Sequence, residues 1–224
     1  MVVDVIGDLL PSAVGVALSP VPIVAIILVL ATPRARATGG AFALGWVLGL
    51  AVVGGLVTLA ASGASDEGQP STLVGWVKLA IGCLFLALAG KQWRSRPRPG
   101  NDVEPPRWMA AVDAMAAGRA GMLGAALAGL NPKNLALIVA AAATIGDAEM
   151  AGAEAFWALA LFVLLGSVSV AGPTIWYLVA PTRAQGPLNG IKDFMLAHNT
   201  VIMMTVLLIL GAKLVGNGLA LVAN

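Results

Sequence analysis

Charge is scarce in this 224-residue chain: Asp, Glu, Lys and Arg together make up 11% of it, against about a quarter in a soluble domain. With 59% hydrophobic residues beside that shortage, the chain reads as an integral membrane protein. Cysteine is nearly absent as well. A lone Cys83 excludes an intrachain disulfide, a Cys/His zinc site and a two-thiol redox relay. There is one histidine, His198, and no Asp or Glu lies well inside an apolar stretch, so the usual intramembrane proton relay has no carriers. Nor is there a phosphate-binding GxxxxGK(S/T) loop, because Gly90-Lys91 is followed by Gln92 and Phe85 stands where the first Gly belongs. No metal, no cofactor and no ATP hydrolysis is therefore expected. His198 has no evident Ser partner, since Ser62, Ser65 and Ser71 belong to the opposite face, and the chain is read as a non-enzyme. A net charge of +2 supplies no footprint for nucleic acid.

What is present is apolar length. A membrane helix needs about 20 apolar residues, and six stretches qualify: Leu9 to Leu30, Gly39 to Ala61, Thr72 to Gly90, Arg119 to Ala143, Gly152 to Tyr177 and Leu196 to Leu221. The first is no cleaved signal peptide, because no Lys or Arg precedes it and Pro20 and Pro22 interrupt it. The segments Thr32 to Thr38, Lys91 to Arg119 and Ala180 to Met195 hold Arg34, Arg36, Lys91, Arg94, Arg96, Arg98, Arg107, Arg119, Arg183 and Lys192. The positive-inside rule makes these segments cytoplasmic. The N-terminus and the alternate loops carry Asp4, Asp8, Asp66, Glu67, Asp147 and Glu149 and no cation. Both termini are thus expected outside the inner (plasma) membrane. Trp108, Val112 and Met115 recur at helical spacing in the long linker, which suggests a short helix on the inner surface.

Prolines punctuate the first and fourth spans at their centres, as Ser19-Pro20-Val21-Pro22 and Asn131-Pro132-Lys133-Asn134. A proline inside a helix removes a backbone hydrogen bond, and the groups it frees must face protein or a watery cavity. One such break is readily a simple kink. Two at equivalent depth, followed by Ala41-Phe42 and Ala155-Phe156 at similar distances, indicate two halves of inverted topology. The expected architecture is all-α and polytopic, with six transmembrane helices as two inverted three-helix repeats, 1–92 and 119–224, around a cytoplasmic linker, 93–118. Spans one and four are the broken helices, with Ser19, Pro20, Pro22 and Pro132 as hinges. Gly45-x-x-x-Gly49 permits close helix approach in the second span.

Three lysines fall inside spans: Lys78, Lys133 and Lys213. Each costs about 2.5 to 3.5 kcal/mol at a bilayer centre on insertion scales. Lys78 leans outward and is able to snorkel; Lys213, in a span of opposite direction, leans inward. Lys133 lies near the midplane beside the break, where it would either cap freed carbonyls or bind an anion. With Asn131 and Asn134 the three lysines form the candidate substrate-binding set, and a phosphate or sulfate group would supply the missing negative charge.

The two proline breaks, Lys91-Gln92-Trp93-Arg94 at the end of the third span and Gly211-Ala212-Lys213-Leu214 in the last resemble the peptidoglycolipid-addressing (sulfolipid-addressing) proteins of actinobacteria, in the lysine-exporter superfamily. The resemblance implies export of an anionic lipid or glycolipid of the cell envelope, by a transporter or flippase-like protein that works with envelope lipid-synthesis or export machinery. The residues leave two alternatives open: export of a small anionic or zwitterionic metabolite, and a non-transporting membrane partner of a lipid-processing enzyme. Homo-oligomerisation is likewise open.

Overall fold

Pro20, Pro132 and Pro181 begin helices, while Pro11, Pro173 and Pro187 lie within them. In the computed structural model, which describes residues 2–63, 72–94, 112, 115–148, 150 and 152–223, the first apolar stretch is two helices, α1 (Val2–Ala17) and α2 (Pro20–Leu30), meeting at 52°. The fourth is built alike from α5 (Ala117–Gly129) and α6 (Pro132–Asp147), meeting at 59°. Pro20 and Pro132 each open the second helix of the pair, where a missing N–H costs nothing and the fixed φ favours the first turn. The other helices are α3 (Ala35–Gly63), α4 (Thr72–Arg94), α7 (Ala153–Val179) and α8 (Pro181–Val222). At 1.5 Å per residue each bent pair still advances about 30 to 34 Å along its longer arm, enough for the roughly 30 Å hydrocarbon core. Four continuous helices and two bent pairs pass the length and apolarity test for a span. The protein is an all-α, multi-pass membrane protein, and among the described residues there is no strand.

The segment Ala180 to Met195, expected as a loop, is helix. Pro181 starts α8 at its first position, and Ala184 and Leu188, four residues apart, bury one face of the extension. Forty-two residues make α8 about 63 Å long, twice the hydrocarbon thickness, so its first turns run beyond the membrane. Low hydropathy had marked them as loop; amphipathic spacing makes them helix. The surface helix expected around Trp108 to Met115 lies for most of its length outside the described residues. Val112 is buried and accepts a hydrogen bond from the Met115 amide in a turn.

In lipid no hydrophobic force draws apolar helices together, so close packing of small residues must do it. α3 runs along α5 with Gly45 against the Gly121 backbone and Gly49 against Ala125 and Ala128, which gives the Gly45-x-x-x-Gly49 spacing its use. A Cβ on Gly124 would strike the Phe42 carbonyl oxygen, which is backbone and has no room to yield. α4 and α8 are joined in the same manner, Gly82 against Gly211 and Gly75 against Gly218. Phe42, Trp46 and Leu50 of α3 are fully buried with Phe162 of α7, and the Trp46 indole N–H donates to the Gly166 carbonyl at 3.3 Å. Leu44, Leu48, Val52 and Leu56 lie exposed on the opposite side of α3, apolar to the lipid.

The contacts exchange in pairs between the halves. α3 meets α5 as α7 meets α1, α2 meets α7 as α6 meets α3, and α1 meets α6 as α5 meets α2. α4 and α8 pack on each other.

Gly124→Val should lower stability by more than about 2 kcal/mol, because the added methyls force two backbones apart. Gly118→Val, where a Cβ meets nothing within 4 Å, is the control and should shift Tm little. Thermal unfolding in detergent checks both; equal Tm values would show that the α3–α5 contact is not close-packed.

Candidate functional site

Every interrupted helix strands a carbonyl. Ser19 is extended (φ −92°, ψ 107°) at the N-cap of α2, so the ladder of α1 stops and the Gly15 carbonyl, four residues earlier, loses its helical donor. Asn131, extended at φ −68° and ψ 119°, is the N-cap of α6 and leaves the Leu127 carbonyl in the same position in α5. Both carbonyls are answered from the first turn of α6. The Lys133 Nζ donates to the Gly15 oxygen at 2.6 Å, and the Asn134 Nδ2 donates to the Leu127 oxygen at 3.0 Å.

The same turn joins the two breaks. Ser19 Oγ donates to Asn134 Oδ1 at 3.1 Å, and Asn131 Oδ1 caps its own helix by accepting from the Lys133 backbone N–H at 3.1 Å. Asn134 is 0% and Lys133 5% exposed. The breaks therefore meet at the centre of the bundle. Of the expected hinge prolines, Pro20 and Pro22 are buried there and Pro132 is exposed.

Lys133 is short of acceptors. An ammonium carries three donors, and among the described residues the Gly15 carbonyl is its one acceptor, with no carboxylate at the site. Its position beyond the end of α1 does favour a cation, since the C-terminal end of a helix carries partial negative charge. Helix N-termini add less than expected to an anion site here, because two of the first three residues of α2, Pro20 and Pro22, have no N–H to offer.

The other lysines part company with Lys133. Lys213 is not unpaired: its Nζ lies 3.2 Å from Asp8 Oδ1, with side chains 32% and 58% exposed. Starting the first span at Leu9 had left Asp8 in a loop; α1 is helical from Val2, which carries Asp8 onto the helix beside α8. Lys78 does not snorkel. It is buried in α4 beside the α8 seam and is not without a partner. The structure thus brings Lys133, Asn131 and Asn134 together with Ser19, and places Lys213 and Lys78 in separate settings. Gly15 was not foreseen as a member of the site. Its signal was the proline five residues on, which marks the carbonyls a break would free.

Two cavities lie toward the end of the bundle that carries Arg34, Lys91, Arg94 and Arg183. One, of about 560 Å³, runs along Ala87, Gly90, Lys91 and Arg94 at the end of α4. The other, of about 240 Å³ and open on one side, is bordered by the ends of α2 and α7 and the start of α8.

Asn134→Leu should cost about 2 to 3 kcal/mol, since it leaves the Leu127 carbonyl and the Ser19 hydroxyl buried without their partner. Lys213→Met should cost under about 1 kcal/mol, its ion pair being half in contact with solvent. Unfolding of the purified variants in detergent checks the order; equal losses would place the breaks outside the stability-determining core.

A family model described as "Sap, sulfolipid-1-addressing protein" matches residues 9–220. No curated protein and no solved structure matches the chain.

Proposed function

The chain belongs to the sulfolipid-1-addressing protein family, and from that premise we propose that it exports an anionic lipid or glycolipid of the cell envelope across the inner membrane, as a transporter or flippase-like protein. The observation that carries this reading is Lys133, buried where two broken spans meet, with a single backbone carbonyl as acceptor. A sulfate or phosphate headgroup brings several charged oxygens, able to take the two unused ammonium donors by charge-assisted hydrogen bonds. Asn131 and Asn134 flank the ammonium with carboxamides, and Ser19 adds a hydroxyl once its bond to Asn134 opens.

The motion that admits the headgroup is a change at the breaks. Ser19–Asn134 and Lys133–Gly15 are the links between the two broken spans, and separating them lets α2 and α6 tilt without unwinding α1 or α5. The pairwise exchange of helix contacts supports two inverted halves, 1–92 and 119–224, rocking about that centre. Lys213 with Asp8 serves as the outer closure between α1 and α8, and Lys213 becomes available to the headgroup when that pair parts. Movement of a lipid and not covalent chemistry is the proposed activity, in concert with the machinery that makes or receives the lipid.

A second reading draws on the sealed state of the centre, where Asn134 is fully buried: the chain would then be a non-transporting membrane partner of a lipid-processing enzyme, and Lys133 only a cap on Gly15. Lys133→Met separates the two. Under the export reading the variant still folds, because relief from burying a cation offsets the donor lost to the Gly15 carbonyl, yet an anionic lipid no longer raises its Tm. An undiminished rise leaves Lys133 as a structural cap.

Orientation is part of the same proposal. In a Cys83→Ser background, a cysteine at position 65 should react with an impermeant maleimide applied to intact cells, and one at position 95 only after the cells are opened. Labelling of position 95 from outside would reverse the topology.

A further inference from the structure

Tyr177, Gln185 and Asn189 are neutral polar side chains in a chain with few of them; Tyr177 is its only tyrosine. All three line the cavity of about 240 Å³ at the meeting of α2, α7 and α8. Tyr177 sits in the last turn of α7, and Gln185 and Asn189, four residues apart, share one face of α8. None of the three side chains makes a hydrogen bond to a described residue. Ile27 and Leu30 of α2, Ala31 after it and Leu188 of α8 line the rest, and among the described lining residues none is charged.

This lining selects by elimination. An anionic group would find no cation among the described lining side chains, and an acyl chain would cover three polar side chains without satisfying them, an unfavourable burial. Two carboxamides and a phenol each offer both donor and acceptor, which suits a set of neighbouring hydroxyls. The aliphatic wall and the tyrosine ring suit the C–H face of a saturated ring. At about 240 Å³ the cavity falls below the roughly 300 to 1,000 Å³ of drug-sized sites, so it takes a group the size of one ring.

We propose that the α2–α7–α8 cavity binds an uncharged, hydroxyl-rich ring, the chemistry of a sugar. Such a ring is carried by a glycolipid headgroup or by a free sugar. The inference deepens the export reading and rests on it only for the lipid to which the sugar is attached. In that setting the cavity holds the sugar at the basic end of the bundle, about two turns of α2 from the break where Lys133 waits for the anionic group.

The test is photo-labelling of the full-length protein in a phosphocholine detergent, with an octyl glucoside carrying a diazirine and an octyl sulfate carrying the same group. The glucoside should label peptides spanning residues 177–189. Labelling should fall about tenfold in the Gln185→Leu/Asn189→Leu variant, which loses two hydrogen-bonding carboxamides, and persist in Lys133→Met. Tyr177→Phe, which keeps the ring, should retain part of it. Both leucine substitutions are at exposed positions, and an unchanged Tm confirms the fold. Competition separates the sources: suppression by methyl glucoside at equal concentration identifies a soluble sugar, and suppression by unlabelled octyl glucoside alone identifies a sugar-headed lipid, either result supporting the cavity chemistry. Equal labelling by the sulfate probe, or undiminished labelling of the double variant, overturns it. If glucoside labelling is absent while anionic lipid still raises the wild-type Tm, the sugar cavity fails and the export reading stands. If labelling is found without that rise, the reverse holds.

Discussion

Two carbonyls, those of Gly15 and Leu127, set the terms for the centre of this protein. Each lies four residues before an extended N-cap, and in a hydrocarbon surrounding neither can be left without a donor. At the first break Ser19 is followed by Pro20-Val21-Pro22, which offers one backbone N–H and no polar side chain. The second half supplies both donors from consecutive residues, Lys133 for Gly15 and Asn134 for Leu127. The first broken span is therefore completed by the fourth, and the two halves cannot be separated without exposing the break of the first.

That dependence explains how a buried cation is kept. Lys133 is costly to bury, and one neutral acceptor does not offset the cost in full; what holds it is the need of the Gly15 carbonyl and the favourable end of α1. The two remaining donors of Lys133 have no acceptor among the described residues. Around it the bundle is drawn tight by glycine contacts, with α3 on α5 and α4 on α8 approaching until backbone meets backbone. The short helices α2 and α6 on either side of the breaks make no such glycine seam.

The two ends of the bundle differ in what lies there. At one end Asp8 and Lys213 tie α1 to α8 through a partly exposed ion pair, which is weak enough to open. At the other, α2, α7 and α8 border a half-open cavity lined in part by Tyr177, Gln185 and Asn189. α8 takes part in both, its 42 residues running from the ion pair to the cavity.

Much of this was legible in the sequence. Apolar lengths and the positions of Pro20 and Pro132 determined the number of spans and which of them would break, because proline and the need for about 20 apolar residues act locally. The choice of Lys133, Asn131 and Asn134 followed from the same local logic. Pairing did not. Whether Lys213 stands alone or meets Asp8 depends on how far α1 extends and which helix it lies beside, a matter of packing across 205 residues of chain. That Gly15 receives Lys133, that Gly82 faces Gly211, and that Tyr177 joins Gln185 and Asn189 were likewise decided only in the tertiary structure. Sequence determines where a helix must stop; which partner satisfies the groups exposed there depends on distances between segments, and those exist only once the helices have packed.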